Sequence, residues 1–230
     1  MILNTSLIKK LKSCQSANVV PFDLNDPNVY VFDFSDSNEE IKNADFSSTE
    51  KFTDYCFNKL KENNTPVGVG GYGENRAIYK LSEIFKAGNE YRSVHLGIDI
   101  TAAAGTEVFA PMDGKVHSFQ NNSSFGDYGP TIILEHNLGG EIFFTLYGHL
   151  SLNSLQGLFE GKELRGGEKI GELGDPTINV GWPPHLHFQV ITDMLGNKGD
   201  FPGVCIPSDK DYYLSICPNP NLILKIGKLM

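Results

Sequence analysis

Two short stretches of alternating polar and apolar residues dominate the pattern of the chain: His95-Leu96-Gly97-Ile98-Asp99 and His185-Leu186-His187. In a β-strand, side chains at i, i+2 and i+4 share a face. His95 and Asp99 are therefore expected to project together across Gly97, and His185 and His187 to project together from a second strand. From residue 91 onward the chain reads as short strands punctuated by glycine turns, the pattern of an all-β core. Asp113-Gly114, between Val108–Ala110 and Lys115–Phe119, predicts one hairpin, and Gly139-Gly140, between Ile132–His136 and Ile142–Tyr147, predicts a second. Gly105–Val108 with a turn at Gly114 echoes Gly161–Leu164 with a turn at Gly166-Gly167, which fits a fold built from two related β half-motifs.

The flanks read differently. Val19–Leu24 and Val29–Phe34 alternate like half-buried strands and are broken by Asn25-Asp26-Pro27-Asn28. A helix is predicted from about Ser47, with Ser47 and Glu50 at capping-box spacing and Phe52, Tyr55, Cys56 and Leu60 as its apolar stripe; Asn63–Pro66 ends it. Gly68–Gly73 lacks the Lys-Ser/Thr of a phosphate loop and reads as a mobile or tightly turned connector. Beyond about Met194 the chain is expected to be loop-like, because Asp200-Phe201-Pro202-Gly203 and Cys217–Asn221 resist helix and central strand alike. The expected organisation is an α+β accessory region at 1–90, a β core at 91–193 and a loop-rich extension at 194–230.

Composition narrows the classes. The chain has 230 residues, 40% of them hydrophobic and 20% charged, enough for one substantial core in an ordinary globular protein. A net charge of −9 argues against a nucleic-acid partner and gives no pull toward anionic polymers or membranes. The four cysteines form no Cys-x-x-Cys pair and are expected to be free thiols of a reducing compartment, Cys205 and Cys217 being the one pair near enough in sequence to bridge. Lys9, Lys10 and Lys12 are followed by polar Ser13–Asn18 where a signal peptide has its apolar core, and no stretch is apolar enough to span a bilayer. A cytoplasmic location is the expectation, with export left open.

The paired motifs carry the chemistry. Side by side, their strands would converge three nitrogen or oxygen donors and one spare imidazole on a point. Three protein ligands with an open position is the arrangement of a catalytic rather than a structural zinc site. With His149 included, four of the six histidines fall at this one place. Two imidazoles and a carboxylate suit zinc. No His-Glu-x-x-His helix is present, so the proton must be handled by something other than a zincin glutamate, and histidine suits that near neutral pH.

These motifs, together with Ala104–Val116 and Tyr147-Gly148-His149-Leu150, resemble the lysostaphin-type zinc endopeptidases over about residues 91–192. The resemblance implies a mainly β fold, the duplicated hybrid motif with its antiparallel β-sheet, barrel-sandwich core, and an activity that hydrolyses peptide bonds of peptidoglycan-type peptides. It makes His95, Asp99 and His187 the ligands of one zinc ion per chain, and His149 and His185 the catalytic histidines. Tyr128 is expected to rim the groove and Trp182 either to contact substrate or to pack in the core, with Pro183-Pro184 restricting the backbone that presents His185. His136 is expected either to hydrogen-bond a ligand's carboxylate or a nearby backbone group behind the site, or to be structural. His117 reads as solvated, and Arg76 and Arg92 as surface ion-pair residues or, alternatively, as binders of a substrate carboxylate. Residues 70–76 read as plain packing or, alternatively, as a wall to the groove with Glu74 or Asn75 at the open metal position. Loss of Asp99 is expected to remove the metal and spare the fold. Two other classes compete: a non-catalytic binding or regulatory module, which the five intact positions oppose, and a histidine phosphocarrier, which has no need of His185-x-His187.

Overall fold

An eight-stranded sheet organises the molecule. The computed structural model describes residues 5–230, the side chain of Leu81 excepted; the first four residues of the lysine-bearing stretch lie outside the described residues. In chain order the first half contains α1 (Thr5–Ser13), β1 (Tyr30–Phe32), α2 (Glu39–Asn43), α3 (Thr49–Glu62), β2 (Gly68–Gly70), β3 (Lys86–Ala87), β4 (Glu90–Tyr91), β5 (Val94–His95), β6 (Ile98–Thr101) and β7 (Glu107–Phe109). The second half contains β8 (Gly114–Asn122), β9 (Gly129–Leu138), β10 (Glu141–Gly148), β11 (Glu163–Leu164), β12 (Lys169–Glu172), β13 (His185–Ile191), β14 (Val204–Cys205), α4 (Lys210–Ile216) and α5 (Asn221–Leu224). The large sheet runs β1-β2-β6-β13-β10-β9-β8-β11. Its pairs are antiparallel except β1 with β2, which is parallel.

Strict alternation in the two central strands separates core from site. In β6, Ile98 and Ile100 enter the main apolar core while Asp99 and Thr101 face the other way; in β13, Leu186, Phe188 and Val190 enter it while His185, His187 and Gln189 do not. Each such fully buried aliphatic or aromatic side chain stabilises the fold by about 1.5–3 kcal/mol. The core also takes Leu7 and Leu11 from α1, Val19 and Val20, and Ile223 and Ile226 from the C-terminal end. A second cluster, including Leu96, Ile133, Ile191 and Phe201, is closed by Ile216 and Cys217 at the end of α4. A third, aromatic cluster is built from β1, α3 and residues 78–85.

Gly139 and Gly140 join β9 to β10 with positive φ at both, as a two-residue I′ hairpin requires. The hairpin expected at Asp113-Gly114 does not form: β7 pairs with β12, and β8 pairs with β9 and β11. The turn signal is local, whereas the partners of β7 and β8 are chosen by burial of Val108, Val116 and Leu164 in the shared core. Val19–Leu24 is not a strand, because Val19 and Val20 are both buried and Pro21 has no N–H to pair. The N-cap of α3 is Ser48, whose hydroxyl accepts from Lys51 N, while the Ser47 hydroxyl meets the Lys51 ammonium instead.

Gly68–Gly70 is a buried strand rather than a connector. A Cβ at Gly68 would stand 2.5 Å from Phe32 Cε2, so glycine there permits the approach of β1. Beyond Met194 the chain is not all loop: β14 pairs with β5, and α4 packs Tyr213, Leu214 and Ile216 against the second cluster. All four cysteines are free, so the Cys205–Cys217 bridge is not made. Among the described residues no helix is long and apolar enough to cross a membrane.

Candidate metal centre

His95 and Asp99 do not share one strand. The chain leaves β5 after His95 and re-enters strand at Ile98, and the space a Gly97 side chain would fill holds the His187 imidazole, 2.6 Å from the position of a Cβ. The convergence survives by another route. Asp99 and His187 are directly opposed across β6 and β13, and His95 is brought in from β5 by pairing with Val204.

Three donor atoms form a triangle. His95 Nε2 and His187 Nδ1 are 2.9 Å apart, and Asp99 Oδ1 is 3.2 Å from each. The corners of a tetrahedron around zinc, at the usual bond lengths, lie about 3.3 Å apart. Ring orientations make the triangle informative. His95 Nδ1–H donates to the Gly71 carbonyl at 3.0 Å, and His187 Nε2–H donates to Gln189 Oε1 at 2.8 Å. The Gln189 amide is fixed because its Nε2 donates to the Pro202 carbonyl and to Cys217 Sγ. Both facing imidazole nitrogens thus present lone pairs to each other and to a carboxylate. Three acceptors in contact repel unless a cation sits among them, so the residues fit a divalent metal. They are also the one His/Cys/Asp/Glu cluster with metal-holding geometry among the described residues.

The second oxygen of Asp99 is held by Arg76, at 2.5 Å from Nη1. Burial works against the Asp99 charge, but the Arg76 guanidinium beside it outweighs burial and helps hold the carboxyl well below the usual range. Burial, with Arg76 adding to it, pushes His95 down to about 4, so it is neutral and ready to ligate.

His185 and His149 stand beside the triangle, with ring centroids 4.0 Å apart. His185 Nδ1–H donates to the Pro183 carbonyl at 2.7 Å, and its Nε2 is 3.9 Å from Asp99 Oδ1. His149 follows β10 with φ of +62°, a left-handed conformation that costs a non-glycine residue about 1–2 kcal/mol. Its backbone N–H is pinned to the Tyr128 carbonyl at 2.8 Å. Its Nδ1 is buried with no hydrogen-bond partner among the described residues. Burial and the neighbouring His185 push His149 well below the ordinary histidine value, and burial lowers His185 as well.

A cavity of about 750 Å³ opens onto all five residues. Tyr128 lines it with its hydroxyl 3.5 Å from His187 Nε2, and Trp182 lines it while packing on Phe52, Tyr79 and Phe85. His136 is not at the site. Its position in β9 sends the ring to the Asp113 carbonyl and Thr145 Oγ1, stacked on Phe143. His117 is half-buried beside Ser118 and Phe144 rather than solvated. Residues 70–76 abut His95, with Gly73 N–H on the His95 carbonyl and His95 N–H on the Glu74 carbonyl. The Glu74 side chain turns to Arg76 and Phe34 N, and the Asn75 amide to Asp36, so neither points at the metal position. Arg76 itself is buried, not a surface residue. Sequence reasoning gave Arg76 and Glu74 other roles and missed Gly71 and Gln189; of the two missed, only Gln189 carried a signal, as the next member of the alternation His185, His187.

Three buried donors that could hold a metal ion thus lie in an open cavity beside two further histidines. Residues 93–198 match the model of Peptidase family M23. An uncharacterized metalloprotease of Haemophilus influenzae is 34% identical over 95 residues, covering 41% of this chain and 18% of that protein. The peptidoglycan DD-endopeptidase ShyA of Vibrio cholerae is 31% identical over 97 residues, covering 42% of this chain and 20% of that protein. The chain thus spans about a fifth of the length of these relatives. Among solved structures, lysostaphin from Staphylococcus simulans is 26% identical with a TM-score of 0.36, over 53% of this chain and 45% of lysostaphin.

Proposed function

We propose that the protein is a zinc-dependent metalloendopeptidase that hydrolyses peptidoglycan-type peptides, on a core of the duplicated hybrid motif kind. The observation that carries this reading is the triangle of lone pairs at His95 Nε2, His187 Nδ1 and Asp99 Oδ1, lying in a segment that matches a peptidase family and whose relatives include named peptidoglycan endopeptidases. One zinc ion per chain, held by these three residues, would supply Lewis acidity to the scissile carbonyl and acidify the attacking water.

The remaining work falls to side chains of this chain. His185, with its Nδ1 proton committed to Pro183, offers the Nε2 lone pair as general base. His149, neutral and with Nδ1 unpartnered, is the group to hydrogen-bond the developing oxyanion and pass a proton to the leaving amine. Tyr128 and Trp182 border the substrate's path. The acidic net charge favours short soluble peptides over an intact anionic polymer, and four free thiols support a cytoplasmic setting.

The test is cleavage of synthetic D-amino-acid-containing stem peptides by zinc-loaded protein, followed by mass spectrometry. His149→Ala and His185→Ala are expected to keep one zinc per chain and lose about a hundred- to ten-thousand-fold in rate. Absence of zinc binding in the unaltered protein, or full activity in both variants, would overturn the reading. Recovery of the native protein outside unlysed cells would overturn the cytoplasmic setting.

A further inference from the structure

Arg76 is the bulkiest fully buried side chain among the described residues, 1% exposed, and its guanidinium is divided between two carboxylates. Nε donates to Glu74 Oε2 at 2.8 Å, and Nη1 donates to Asp99 Oδ2 at 2.5 Å and to the Tyr79 hydroxyl at 3.2 Å. The Asp99 carboxylate is split in consequence: Oδ1 completes the triangle with His95 and His187, and Oδ2 belongs to the arginine.

Nothing around Arg76 lets it swing away. Glu74 is itself anchored, its Oε1 accepting from Phe34 N–H at 3.0 Å. The guanidinium carbon lies 5.4 Å from the centre of the Phe34 ring and 5.8 Å from that of Tyr79. On the remaining side Gly70 passes so close that a Cβ there would come within 2.9 Å of Nη2. A buried guanidinium is tolerated when its charge is paired and its donors are used, and here Asp99 shares that work with Glu74 and Tyr79. The planar fork is what makes the division possible. It serves Glu74 and Asp99 at once from fixed directions, which a lysine ammonium on a flexible stem cannot do.

We propose that Arg76 is a positioning residue of the metal centre, which by holding Asp99 Oδ2 confines Asp99 to ligation through Oδ1 and so keeps the remaining coordination position open. Carboxylates bind cations through one oxygen or two, and a freed Oδ2 could turn into the position that substrate needs. The inference rests on His95, Asp99 and His187 being the ligands. It adds to that reading a residue outside the segment 93–198 that matches the family.

The experiment compares the full-length protein with Arg76→Lys, loaded with Zn2+ or Co2+. Zn2+ affinity is measured by chelator competition and the coordination number by the visible absorption of the Co2+ form. Arg76→Lys keeps the charge but loses the fork, and is expected to weaken Zn2+ binding about 10- to 100-fold, as loss of a partner to a metal ligand does. Its Co2+ absorption is expected to drop from the intense bands of four-coordination to the weak bands of a higher coordination number. A purely structural role would alter thermal stability and leave the Co2+ spectrum as it was; an unchanged spectrum with affinity within about twofold overturns the proposal. If Arg76→Lys does not fold, Glu74→Gln, which removes the brace but leaves the arginine, is read by the same two measurements and the same criteria. An unaltered protein that binds neither ion instead brings down the reading of the site, and this inference with it.

Discussion

Gln189 Oε1 stands 2.8 Å from His187 Nε2, and this contact decides which imidazole nitrogen of His187 faces Asp99. The amide cannot flip without losing its donations to the Pro202 carbonyl and Cys217 Sγ. Gln189→Leu removes the acceptor and frees the ring. Zinc affinity is expected to fall about 10- to 100-fold, measured by chelator competition; unchanged affinity would show that the tautomer is set elsewhere.

Asp99 balances a buried charge as well as facing the metal position. From the sequence its removal was expected to spare the fold, but the structure puts the Arg76 guanidinium against it, fully buried. Breaking one partner from such a pair costs about 3–5 kcal/mol. Asp99→Ala is therefore expected to lose both metal and stability of that order in urea denaturation. Wild-type stability for Asp99→Ala would contradict the burial of Arg76.

Gly97 is required by the approach of His187. A Cβ there would lie 2.6 Å from two atoms of the imidazole and 2.8 Å from the Phe188 carbonyl, which is backbone and cannot yield cheaply. Gly97→Ala is expected to cost about 1–3 kcal/mol, as overpacking does, and to lower zinc content, read by denaturant midpoint and mass spectrometry.

His136 links stability to pH away from the site. Burial pushes it below its ordinary value of 6.5. Between the two values the unfolded chain binds the proton and the folded chain does not, so stability falls as pH drops below about 6.5. His136→Gln removes this contribution, and its deficit relative to wild type is expected to be smaller at about pH 5.5 than at about pH 7.5. A deficit that grows on acidification would mean that His136 is charged in the folded protein.

How far the sequence discloses the site depends on the range of the interaction. The period of two in β13 is local, so it shows from residues alone that His185 and His187 leave the core face together. The same local reading went astray for His95 and Asp99, because their strands pair with different partners, Val204 and His187, that the local pattern does not name. It failed for Asp113-Gly114 because a turn signal does not name its strands' partners. Arg76 was illegible: its pairing with Asp99 exists only because Gly68–Gly70 lies along β6, and a glycine run does not announce a buried strand. In the C-terminal part, proline and glycine correctly mark the breaks around α4 but say nothing of the residues between them.

Gly68–Gly70 has one more effect. In register Gly68 with Thr101, Val69 with Ile100 and Gly70 with Asp99, β2 covers the outer flank of β6. A piece of the chain cut at residue 93 would lose this cover, and β6 would become a bare sheet margin of unpaired N–H and C=O groups. Such margins recruit strands from other molecules. The stretch that matches the peptidase family would then be prone to self-association beside Asp99, so in this protein the N-terminal region shields the margin of the sheet that carries the candidate site.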